Sequence, residues 1–148
     1  HCAARRMKAL NGDLQVDEYP LRLVKQIAPR IIRHYDIVVD GTDNFETRYL
    51  LSDETARWGK PYVYGAIREF EGQVSVFNLS PGRTYRALFP EEERGTPSPK
   101  GVMGVLPGVV GCVEAAEVIK LITGCGTPLD GRLWTIDLLT LQSHTLSY

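Results

Sequence analysis

Hydrophobic and polar positions along the chain change period several times, and each change marks an element. Residues 1–12, HCAARRMKALNG, bring Ala3, Ala4, Met7 and Leu10 round at helical spacing, a helix entered midway. From Leu14, LQVDEY alternates like a short strand, and LRLVKQIAPRIIRHY predicts a helix weakened at Pro29. DIVVD, at 36–40, is a near-continuous apolar run of the kind buried on both faces of a parallel sheet. NFETRYLLSDETARW then predicts an amphipathic helix that buries Phe45, Tyr49, Leu50 and Ala56 and stops at Gly59. YVYGAI is a third strand, and EGQVSVFN a fourth whose period of two predicts one exposed face. Residues 79–107, with five prolines, predict a long loop of little regular structure, disordered without a ligand because its EEER stretch at 91–94 adds charge and little apolar surface. GVVGCVEAAEVIKLITG is an apolar helix ending at Gly124, and RLWTIDLLTLQSHTLSY predicts two closing strands.

The succession gives an α/β fold: a Rossmann-like mixed sheet, parallel strands first and antiparallel strands at the C-terminal end, with helices on both faces. In such sheets ligands gather at the carboxyl ends of the strands, which directs attention to DGTDNFETR at 40–48. Asp43 has Glu46 three residues on and could form a reciprocal helix cap; equally, its carboxylate could hold Mg²⁺ beside a nucleotide phosphate. Both readings stay open on spacing alone.

Composition narrows the function. A chain of 148 residues, 43% apolar and 24% charged, suits one soluble domain, and no apolar run is long enough for a membrane span. Seventeen basic against eighteen acidic residues, net −1, supply no cationic field for nucleic acid. Cys2, Cys112 and Cys125, three in number and widely spaced, form neither a disulfide framework nor a metal knuckle and suit a reducing cytoplasm. Cys112 reads as a small core residue and Cys125 as exposed. The cluster Gly101, Gly104, Gly108 and Gly111 precedes an apolar helix and reads as an aid to close packing rather than a phosphate cradle. For the apolar helix over 109–122, burial in the core and burial in a dimer interface are equally open.

LNGDLQVDEY, YDIVVDGTDNFETRYLLSD, GKPYVYGAIREFEGQVSVF, YRALFPE, GVMGVLPGVVGCVEAAEVIKLITG and GRLWTID together resemble the ThiF/MoeB/HesA family, bacterial relatives of ubiquitin-activating enzymes, in the family's order and over most of the chain. The resemblance implies ATP-dependent adenylation, with Mg²⁺, of the C-terminal glycine of a ubiquitin-like sulfur-carrier protein of molybdopterin or thiamine biosynthesis. It implies Asp43 as the catalytic residue orienting Mg²⁺ and the α-phosphate, Thr42 and Asn44 as neighbours lining the nucleotide pocket, and Arg48 as support for the site or the carrier tail. It implies a homodimer and a 79–107 loop that crosses over the bound tail. The family's glycine-rich nucleotide loop would lie ahead of His1, so residues 1–148 are expected to be the C-terminal part of the adenylating domain and inactive alone. No zinc is expected, because Thr84 and Ala87 stand at the family's cysteine positions, and Pro97 stands where some members carry a covalent cysteine. The alternative is a non-catalytic module that binds a ubiquitin-like protein or a catalytic partner.

Overall fold

In the computed structural model, residues 1–90 and 101–148 are described. Five strands lie side by side in chain order: β1 (Val38–Val39), β2 (Tyr62–Arg68), β3 (Glu71–Phe77), β4 (Arg132–Asp137) and β5 (Gln142–Ser147). β1 runs parallel to β2, and every later pairing is antiparallel. The mixed sheet is therefore as expected, parallel first.

Helix α3 (Phe45–Arg57) crosses over between β1 and β2, joined on its face of the sheet by the short α2 (Ala28–Ile32) and α4 (Tyr85–Leu88). Tyr62, Tyr64, Phe77 and Tyr85 fill that layer with Tyr49 and Ile32. On the opposite face α5 (Leu106–Thr123) packs Leu106 and Val110 onto Val63, Val74 and Val76. Covering both faces buries Val74 to Phe77 without alternation, which corrects the one exposed face expected of β3.

Two glycines let α5 approach so closely. A Cβ at Gly65 would lie 2.4 Å from the Glu114 carboxylate, and one at Gly72 would lie 2.5 Å from Val110. By contrast, nothing among the described residues comes within 4 Å of a Cβ built at Gly101, Gly104, Gly108 or Gly111. The close packing expected of that glycine cluster belongs instead to the strand glycines Gly65 and Gly72, which face Glu114 and Val110 of α5.

Other expectations change for identifiable reasons. LQVDEY has no regular structure, since no neighbouring strand pairs with it and Leu14 and Tyr19 remain exposed. The helix expected over 21–35 shrinks to the five residues of α2, with Pro29 in its first turn, where its missing N–H costs nothing. α3 buries Arg48, Tyr49, Leu51, Ser52, Glu54 and Thr55, while Ala56 is exposed. Of its buried polar side chains, Thr55 donates its hydroxyl to the Leu51 carbonyl at 2.6 Å and accepts from Asn78 Nδ2 at 3.1 Å, whereas Glu54 Oε2 is buried without a hydrogen-bond partner among the described residues. α1 (Cys2–Leu10) forms as the spacing requires but buries only Ala4.

The 79–107 segment is not devoid of structure. Thr84 caps α4 by accepting from the Ala87 amide, and Arg86 donates twice to Asp53 of α3, at 2.6 and 2.9 Å, while lying 4.7 Å from the Tyr49 ring. The EEER stretch, Pro97 and the rest of the loop expectation at 91–100 lie outside the described residues. α5 runs to Gly124, whose φ of 69° is the left-handed stop that glycine supplies. Its buried stripe is Leu106, Val110, Glu114 and Glu117, and its other face, with Cys112, Ala115, Ile119 and Ile122, is exposed. Cys112 is thus not a core residue; all three cysteines are free and exposed.

Candidate functional site

The site is built from the end of β1. Asp40, 1% exposed, closes that strand, and its carboxylate is fully engaged. Oδ1 accepts from the Thr42 amide at 2.8 Å and the Thr42 hydroxyl at 2.6 Å. Oδ2 accepts from Arg48 Nε at 3.0 Å and the Tyr62 hydroxyl at 2.7 Å. Four donors on two oxygens offset the desolvation that a buried carboxylate would otherwise suffer. Burial raises the Tyr62 phenol well above its ordinary pKa, and the neighbouring Asp40 charge adds to that.

Arg48 is 7% exposed, not the solvated surface charge that an arginine on a helix suggests. Its Nη2 donates to the Thr42 carbonyl at 2.9 Å, and its guanidinium lies 5.2 Å from the Tyr64 ring centroid and 5.9 Å from that of Phe45. Burial pulls the Arg48 pKa down, but the Asp40 carboxylate and the surrounding phenols outweigh it and leave the pKa raised.

Asn44, not Asp43, caps α3. Its Oδ1 accepts from the Thr47 amide at 2.8 Å. That corrects the reciprocal cap between Asp43 and Glu46; Glu46 instead pairs with Arg22 at the surface, at 3.0 Å. Asp43 stands one residue earlier, exposed, with Asn44 Nδ2 donating to its Oδ1 at 3.3 Å. Freed from capping, this carboxylate faces outward. Thr42 is different: its hydroxyl and amide both turn inward to Asp40, so toward a ligand it offers mainly its methyl group.

Beside this turn, on the α3 face of the sheet, opens a cleft of about 520 Å³. Phe45, Arg48 and Tyr49 form one wall, Tyr85 and Phe89 another, and Tyr64 the floor, with Asp137 and His144 toward its β4–β5 end. The Tyr64 hydroxyl accepts from Gln73 at 2.7 Å. Burial pushes the Tyr85 phenol up to about 12, against the opposing pull of the Arg48 guanidinium. Arg48 therefore touches both the turn and the cleft.

The ThiF family model matches residues 1–148. The chain belongs to the ThiF family. It is 46% identical over 154 residues to a sulfur carrier protein adenylyltransferase of Thermus thermophilus, covering 98% of this chain and 57% of that protein. It is 43% identical over 143 residues to a probable molybdopterin-synthase adenylyltransferase of Pyropia yezoensis, covering 93% of this chain and 38% of that one. A crystal structure of E. coli MccB with ATP superposes with a TM-score of 0.76 at 18% identity, covering 97% of this chain and 46% of the other, a likeness of fold. Residues 1–148 thus span about half the length of such ThiF relatives, or less.

Among the described residues no group of three or more His, Cys, Asp and Glu side chains could hold a metal ion. A single outward carboxylate, Asp43, fits Mg²⁺, which takes one or two protein carboxylates and fills its remaining positions with water and phosphate oxygens. Thr84 and Ala87 are the cap and first-turn residues of α4. Sequence reasoning missed Asp40 and Tyr62. The signal for the first was an acid and an arginine eight residues apart across a strand-turn-helix; nothing local pointed to the second.

Proposed function

We propose that the full-length protein uses ATP and Mg²⁺ to adenylate the C-terminal glycine of a ubiquitin-like sulfur-carrier protein, and that residues 1–148 are the C-terminal, carrier-facing part of its adenylating domain. The observation that carries this reading is the turn at 41–44. It holds an outward Asp43 carboxylate at the carboxyl end of β1, beside an aromatic-lined cleft of about 520 Å³. The relatives' names support the carrier as substrate.

A carboxylate is a poor acyl donor until its oxygen is attached to a good leaving group. In the proposed reaction a carboxylate oxygen of the carrier attacks the α-phosphorus of ATP. The bond to the bridging oxygen breaks, pyrophosphate leaves, and an acyl adenylate remains. Bound Mg²⁺ supplies charge neutralisation between the two anions. Asp43 would hold the cation, Asn44 steadies Asp43 through its amide while capping α3, and Thr42 fixes the turn through Asp40. The aromatic cleft takes the carrier tail, with Arg48 at its inner end.

The outer face of α5, where Ile119 and Ile122 are 59% and 70% exposed, supports a homodimer through that helix. Three unpaired cysteines support a cytoplasmic setting, and no helix among the described residues is long and apolar enough to cross a membrane.

Carrier-dependent exchange of labelled pyrophosphate into ATP tests the reading in the full-length protein. Wild type exchanges, and Asp43→Asn, which removes the charge and keeps the shape, does not. If wild type binds a ubiquitin-like carrier yet shows no exchange, the non-catalytic binding module takes its place.

A further inference from the structure

The peptide group joining Thr42 to Asp43 is held through the residue before it from two directions. The Thr42 amide donates to Asp40 Oδ1, and the Thr42 carbonyl, which belongs to the same peptide plane as the Asp43 amide, accepts from Arg48 Nη2. Arg48 also donates through Nε to Asp40 Oδ2, so one guanidinium bridges the strand-end acid and the turn carbonyl. A planar fork with several donors can make both bonds at once; a lysine ammonium on a single flexible stem cannot reproduce that geometry. The guanidinium also rests near Tyr64 and Phe45, both lining the cleft.

We propose that Arg48 is a positioning residue for adenylation: it fixes the Thr42 carbonyl, and with it the direction of the Asp43 carboxylate, in register with the aromatic cleft. This rests on the adenylation reading, with Asp43 as the group that meets the cation. Arg48 acts through the turn, where its guanidinium is already engaged by Asp40 and the Thr42 carbonyl. A buried ion pair of this kind contributes little net stability, because desolvating both charges offsets their attraction. Its effect is on geometry, and geometry at a reacting centre is where small displacements cost large factors in rate.

Arg48→Lys in the full-length protein tests this with two independent readouts. Hydrogen exchange at the Thr42 amide reports the turn without reference to activity. We expect its protection to fall at least tenfold while amides of the β2–β3 hairpin keep theirs. In carrier-dependent pyrophosphate exchange we expect kcat to fall at least tenfold and the KM for the carrier to stay within twofold. Unchanged Thr42 protection with unchanged kcat overturns the proposal, as does a raised carrier KM with kcat preserved, which makes Arg48 a tail-binding residue. Should Arg48→Lys fail to fold, Asp40→Asn keeps acceptor shape while removing the charge that anchors Arg48. It carries the same expectations, and intact protection and kcat there overturn the proposal. A wild type without exchange defeats the adenylation reading but leaves the Thr42 protection comparison to decide whether Arg48 holds the turn.

Discussion

Glu114 offers a prediction in which sign and size both follow from the structure. It projects from α5 onto the bare Cα of Gly65, its Oε1 is buried with no hydrogen-bond partner among the described residues, and it is 9% exposed. Burial, then the Asp40 charge, push its pKa up to about 7, with Arg48 pulling the other way. The strand residues packed on that stretch of α5, including Val63, Val74 and Gly72, carry no charge to answer it. Between pH 4.5, its ordinary value, and about 7, the unfolded chain gives up the Glu114 proton while the folded chain keeps it. Stability therefore falls as pH rises through this window, and the penalty is complete above it. At about 1.4 kcal/mol per pH unit the upper limit is roughly 3 kcal/mol; residual solvent access at the site brings the expected loss to about 1–2 kcal/mol. Glu114→Gln keeps the shape and abolishes the titration. In urea unfolding of the full-length protein, the variant should gain about 1–2 kcal/mol over wild type on going from pH 5 to pH 8, measured as the change in their difference. A difference that is the same at both pH values would refute a buried, proton-holding carboxyl.

The corrected cap separates two neighbouring residues: Asn44→Ala should cost about 1 kcal/mol in unfolding free energy, whereas Asp43→Ala should leave thermal stability near wild type and remove pyrophosphate exchange. Gly65→Ala should destabilise by about 1–3 kcal/mol through its clash with Glu114; combining it with Glu114→Ala should recover part of the loss, and strict additivity in the double-mutant cycle would count against the contact. For the outer face of α5, sedimentation of Ile122→Lys should show monomer at concentrations where wild type sediments as a dimer, and a dimer in both would move the interface elsewhere.

Much of the architecture was legible because its signals are repeated. The apolar run ended by Gly124, the hairpin halves YVYGAI and EGQVSVF, and the closing strands each carry several residues of consistent pattern. The site was harder to read. Asp43 and Asn44 are equally good capping types, and Glu46 three residues after Asp43 imitates a capping box that the chain does not form. Arg48 resembles any helical surface arginine until Asp40 and Tyr62 converge on it, a convergence set by the β1–β2 pairing and invisible to local spacing. LQVDEY shows the opposite failure: alternation alone does not make a strand without a neighbour to receive its hydrogen bonds. Cys112 was misplaced because α5 is apolar almost all the way round, so periodicity did not say which side faces the sheet.

The order of strands in the sheet equals their order in the chain, and that has a consequence for how the fold is reached. β2 and β3 are separated by two residues, Glu69 and Phe70, and β4 and β5 by a short link, so both hairpins close at small entropic cost. β3 and β4, by contrast, pair only after a span that includes α4 and α5 has been closed. β1 and β2 also pair across a crossover, α3, but over a shorter span, so the rate of folding should be governed chiefly by the longer β3–β4 closure, with α5 docking on β3 as the event that makes it favourable. Val110→Ala, which thins the α5–β3 contact, should accordingly slow folding more than it speeds unfolding, while a substitution confined to β5, such as Leu146→Ala, should act chiefly on unfolding.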